Sequence, residues 1–160
     1  MAYLSLIAQA STIAASVAHF GYNIVRKRRI AGAIAPALIC DLNIVLNALD
    51  GVKHHALQIE QHGDTHDEDI ELTLRSVARI HLSAFDRFND MLPYLGKHSA
   101  HIVIECYTAI SRTIALVRED LETNTPTPEL KKALITMATG ADQLSKKVNE
   151  AHEHLRKYAS

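Results

Sequence analysis

Apolar positions recur every three or four residues along most of this chain, and that spacing predicts helices nearly throughout. Leu38, Leu42, Val45, Leu49, Val52, Ala56 and Ile59 form one such stripe, extending to about Glu60. Asp41, Asn43, Asn47, Asp50 and Lys53 are read as lying off it. The polar run 61–69 predicts a loop around Gly63, and a helix restarts near Asp67 with Ile70, Leu74, Val77, Ile80 and Leu82 apolar. Ser83 is a candidate cap for a short helix, AFDRFND, before Pro93 and Gly96 interrupt the chain. Phe85, Phe88, Met91, Leu92, Tyr94 and Leu95 are expected to plug one end of a bundle.

Ser99 is expected to open the next helix, which runs to Glu122 along Val103, Tyr107, Ile110, Ile114, Val117 and Leu121. TNTPTP (123–128) cannot continue it. Thr127-Pro128-Glu129 then supplies a capping hydroxyl, a first-turn proline and an acid. The last stripe, from Leu130 through Leu134, Ala141, Val148 and Leu155, reaches Tyr158. Helices with one apolar stripe each and short connections pack antiparallel, so residues 31–160 predict a four-helix-bundle-like domain. A bend or helix start is expected near Ala35 and Pro36.

The first thirty residues follow a different pattern. No Asp, Glu, Lys or Arg occurs from Met1 to Val25, and then Arg26, Lys27, Arg28 and Arg29 arrive together. About 20 such residues cover the hydrocarbon core of a bilayer, so residues 1–30 read as a transmembrane anchor helix with a basic stop. Cations after the span and none before it predict a single pass in the inner (plasma) membrane, with the N-terminus outside and the C-terminal domain cytoplasmic. The same four cations are candidate lipid contacts. A cleaved signal would carry its charge before the apolar run. Ser5, Gln9, Thr12, Ser16, His19 and Asn23 step by four and three along one face and read as an oligomer seam, where small and polar residues let helices approach and hydrogen-bond. The competing expectation is a soluble bundle in which this segment is a core helix with a polar stripe facing water.

Composition supports the helical reading: aromatic residues are 5%, Trp is absent, and Gly (6) and Pro (4) are few. The net charge of −1 and a lone basic cluster argue against nucleic acid as a partner. Cys40 and Cys106 are expected to be buried free thiols.

The basic stop, then ALICDLNIVLNAL with Asp41, Asn43 and Asn47, then LSAFDRFNDMLPYLGKHSAHIVIECYTAI with a central Tyr107, resembles a group of small bacterial single-span membrane proteins with a cytoplasmic helical domain. The resemblance covers about residues 1–120. It implies the same all-α architecture and carries no activity, because the group has none assigned.

Chemistry is sparse by comparison. Ten histidines invite a metal, and His62, Asp64 and His66 in the polar loop are the candidate ligands. No HExxH is present, and no ExxH pair as in di-iron bundles. His98, His101 and Lys97 at the start of a helix could take an anion, and Glu105 is expected at an exposed helix edge. With no P-loop, GxGxxG or GxSxG, no catalytic residue and no cofactor are expected. The expected function is a membrane-anchored interaction or scaffold module whose partners are the bilayer and either itself or another membrane protein. The alternatives are a soluble bundle with a histidine-based metal or ligand site, and an oligomerising membrane-active effector.

Overall fold

The computed structural model describes residues 2–62, 67–123 and 127–159, with side chains for 21–61, 68–123 and 128–159. All regular structure among these residues is helical: α1 (Ala2–His62), α2 (Asp67–Ala78), α3 (Ser83–Phe88), a 3-10 turn (Asn89–Leu95), α4 (Lys97–Glu122) and α5 (Thr127–Arg156).

The apolar stripes close into one core. Leu38, Leu42, Val45, Leu49, Val52, Ala56 and Ile59 of α1 are all buried, facing Val103, Ile110, Ile114 and Val117 of α4 and Leu134, Ala141, Val148 and Leu155 of α5. Around the bundle the order is α1, α5, α4, α2. Helices α1 and α5 run antiparallel, because Gly32 meets the Tyr158 carbonyl at one end and Lys53 pairs with Asp142 at 2.7 Å further along. At 12 residues α2 is too short to line the whole length of the 26-residue α4. The fourth wall is completed by α3 and the 3-10 turn, which pack on α1, the turn also touching α4. Leu92 and Leu95 of that turn are buried, whereas Met91, expected in the plug, is exposed.

Two helix ends in this wall are capped from other elements. No side chain of its own caps α3, whose N-cap position is Leu82 rather than Ser83. Asp41 of α1 instead accepts the Ala84 N–H at 2.9 Å and the Phe85 N–H at 3.2 Å, the two amides that an N-cap side chain normally satisfies. Asp41 is therefore a buried member of the α1 face, not an off-stripe residue: it lies three residues from Leu38 and four from Val45. At the other end of α2, the Arg118 guanidinium donates to the Ala78 carbonyl at 2.7 Å, where a cation suits the helix dipole.

The helix start expected near Ala35 and Pro36 does not occur, and α1 is one helix of 61 residues. Proline cannot bond back to the Gly32 carbonyl and costs roughly 3 kcal/mol inside a helix. Here its ring is exposed, while Ala31, Ile34, Ala35 and Leu38 on either side are almost wholly buried, so packing holds both flanks in register. Helix α4 also begins earlier than expected. Gly96, at φ +79, makes the turn that a residue with a Cβ would resist, which moves the start from Ser99 to Lys97. Cys106 is buried, and burial pushes its thiol up to about 12. Cys40 is exposed, against expectation, because it sits two residues past Leu38 and so faces away from the core.

Gly51 lies inside α1 with nothing within 4 Å of an added Cβ. Gly51→Ala is expected to raise stability by about 0.5–1 kcal/mol in chemical denaturation, from helix propensity alone. A loss would mean that the site is more crowded than it stands here.

Candidate functional site

Among the described side chains, the core face of α1 starts at Ala31. From Ala31 to Ile59 the helix is about 43 Å long, close to the roughly 45 Å of α5 beside it. Residues 2–30 continue the same helix for about another 43 Å. Among the described side chains of that extension, Tyr22 and Val25 are each 65% exposed and Ile24 is 41% exposed. Arg26, Lys27, Arg28 and Arg29 are all exposed. No bundle element covers this part of the charge-free run, so at residues 21–25 it is not a core helix.

Of the six seam positions, Asn23 is half-buried, and the side chains of Ser5, Gln9, Thr12, Ser16 and His19 lie outside the described residues. Their backbone is helical and unbroken. Ser5 and Asn23 are therefore about five turns apart and fall on one line of the helix, with the other four close to it. Two described stretches, Gly21–Gln61 and Lys97–Glu122, are long and apolar enough to cross a membrane. The second is α4, and the first contains the core face of α1 from Ala31 to Ile59, so both are walls of the bundle.

The base of the extension is where the chain's other helix ends gather. An added Cβ on Gly32 would stand 3.2 Å from the Tyr158 carbonyl oxygen, so α5 finishes against α1 there. The Tyr158 hydroxyl donates to the Leu95 carbonyl and lies 3.4 Å from Ser99 Oγ, which ties the start of α4 to the same place. His154 Nδ1 is 3.1 Å from Ser99 Oγ, and the His154 ring meets His98 edge-on at 5.2 Å. Ser99, expected to open α4, is buried in this network two residues inside the helix. Lys97, His98 and His101 line an open hollow of about 690 Å³ with Pro93, Ala100 and Ile104. Arg156 and Lys157 are exposed on the α5 side. His152, held below its ordinary range by burial and by Arg156, adds no charge here at neutral pH.

Elsewhere α1, α4 and α5 line a groove of about 440 Å³ whose walls include Leu49, Leu116, Met137 and Leu144, with Gly140 and Ala141 also lining it. Lys53 also reaches Ser145 at 3.5 Å, and its bond to Asp142 holds that carboxyl below its ordinary range.

The metal candidates are not brought into view. Asp64, His66 and the side chain of His62 lie outside the described residues, and no three His, Cys, Asp or Glu side chains gather to hold a metal among those described. Glu105 is exposed and lies 3.4 Å from His101, one turn away. Sequence reasoning picked out Arg26–Arg29 but did not connect them with Lys97, Arg156 and Lys157, which sit where α4 starts and α5 ends against Gly32. The available signal was topological: in an antiparallel bundle the start of one helix meets the end of the next. Compared with protein families, curated proteins and solved structures, the chain matches none.

Proposed function

We propose that this protein is a membrane-anchored helical interaction module. Residues 2–25 cross the inner membrane once with the N-terminus outside, Arg26–Arg29 stop at the cytoplasmic headgroups, and the bundle from Ala31 onward stands in the cytoplasm. The observation that carries this reading is the uncovered extension of α1. Its exposed Tyr22, Ile24 and Val25 are followed directly by four exposed cations. A length of about 36 Å for residues 2–25 suits a hydrocarbon core of roughly 30 Å with some tilt. The seam from Ser5 to Asn23 supports self-association of the span, since polar and small residues along one line favour close helix contact in lipid.

The test is membrane fractionation of the full chain beside a version beginning at Ala31, each with an alkaline wash. The full chain is expected in the washed pellet and the shorter one in the supernatant, still helical. A full chain released by the wash would overturn the anchor. Chemical cross-linking in the membrane then reads the seam: dimers are expected, and Gln9→Leu with Asn23→Leu is expected to deplete them severalfold. Undiminished cross-linking would assign self-association to another surface.

A further inference from the structure

We infer that the membrane-proximal end of the bundle is itself a binding surface for anionic lipid headgroups, built from Lys97, Arg156 and Lys157 beside the basic stop of α1. The inference rests on the anchored reading and extends it from the linear cluster to a tertiary surface.

Three elements supply the charge. The antiparallel contact of Gly32 with Tyr158, and the Tyr158 bond to Leu95, bring the end of α5 and the start of α4 to the level of α1 residue 32. Arg29 is one turn below that level and Arg26 two turns, so all seven cations fall in a layer of about 10 Å. All seven are exposed, and no ion pair occupies any of them among the described residues. The nearest acids in sequence are Asp90 and Glu153. The hollow holding Lys97, His98 and His101 opens in the same region, beside the first turn of α4, whose free amides also favour a phosphate.

The opposite ends of the same helices carry the opposite charge. Glu60, Glu68 and Asp69 flank the α1–α2 connection, and Glu119, Glu122 and Glu129 flank the α4–α5 connection, with Lys131 and Lys132 one turn in. The bundle is therefore polarised along its axis, positive toward the anchor and negative away from it. A negative membrane surface attracts the first, and it repels the second only when the bundle tips to within a Debye length of about 8 Å. That field holds the bundle upright on its basic end. Anionic lipid fits better than an acidic protein because the anchor sets this end against the bilayer.

The chain has no Trp, so Ala159→Trp places a single fluorophore at this surface. The full chain carrying it is reconstituted into vesicles of phosphatidylcholine alone, or of phosphatidylcholine with phosphatidylglycerol, each containing brominated lipid as quencher. Strong quenching is expected only with phosphatidylglycerol. Lys97→Glu, Arg156→Glu and Lys157→Glu together should reduce it to the phosphatidylcholine level, and so should high salt. Circular dichroism verifies that the charge-reversed protein remains helical. Equal quenching in both vesicles, or quenching that survives charge reversal, would overturn the surface while the protein stays anchored, leaving an acidic partner protein as the candidate occupant. Release of the protein from both vesicles by an alkaline wash would instead mark failure of the anchor itself.

Discussion

Tyr107→Ala is expected to cost about 3–5 kcal/mol of bundle stability, the range for emptying a buried aromatic site. Among the described residues Tyr107 is the largest fully buried side chain. It bridges the diagonal of the bundle, its hydroxyl donating to the Leu38 carbonyl of α1 at 2.9 Å from the far side of the core. Its ring stacks on Phe85 at 4.2 Å with the planes 9° apart, so α3 leans on it as well. No single neighbour can collapse into a void that three elements share. Tyr107→Phe keeps the ring and removes only the donor, and the Leu38 carbonyl remains within α1, so a loss of about 1 kcal/mol is expected. Chemical denaturation followed by circular dichroism separates the two. Equal losses would mean that the hydroxyl, and not the packed ring, carries the effect.

Asp41→Ala is expected to cost about 2–3 kcal/mol, because it strands the Ala84 and Phe85 amides at the head of α3 with no local cap to replace it. Asp41→Asn retains an acceptor oxygen and should cost much less. The two also differ in their response to pH. Burial raises the Asp41 carboxyl above its ordinary 3.8, the two backbone amides pull it down, and Asp86 nearby adds to the rise. The net shift is upward, so the folded chain holds this proton more tightly than the unfolded one. The stabilisation from that proton is complete below the unfolded pKa and is lost as pH rises through the folded one. The stability of the wild type relative to the Asn variant should therefore fall as pH rises above the ordinary carboxylate range. A difference that is flat or rising there would mean that the amides, and not burial, control the carboxyl. Were Asp41→Ala to unfold no more easily than Asp41→Asn, the cap itself would be in doubt.

These two side chains illustrate what could be read before folding. Tyr107 was legible as a core residue because it lies on the α4 stripe four residues from Val103 and three from Ile110. Its partner was not, since a hydroxyl bond to Leu38 spans 69 residues of chain. Asp41 was misplaced because a charged residue in an apolar helix is ordinarily assigned to water. The head of α3, 43 residues on, makes its burial tolerable. Pro36 was read as a break for the same reason, as local rules count its lost hydrogen bond and not the buried residues beside it.

By itself the sequence determined the all-α class, the buried faces of the long helices and the approximate positions of their ends. It also set the abrupt change from a charge-free run to four cations. These properties belong to neighbours within a turn or two, where periodicity and capping act. Only the tertiary structure decided that α1 runs unbroken from the charge-free segment into the core, that Asp41 and Arg118 cap helices other than their own, and that α2 and α3 share one wall. It alone brought the end of α5 and the start of α4, with Arg156, Lys157 and Lys97, to the level at which the basic stop runs into the bundle. Each of these depends on which helix ends meet, and that follows from burying all the stripes at once, not from any one of them.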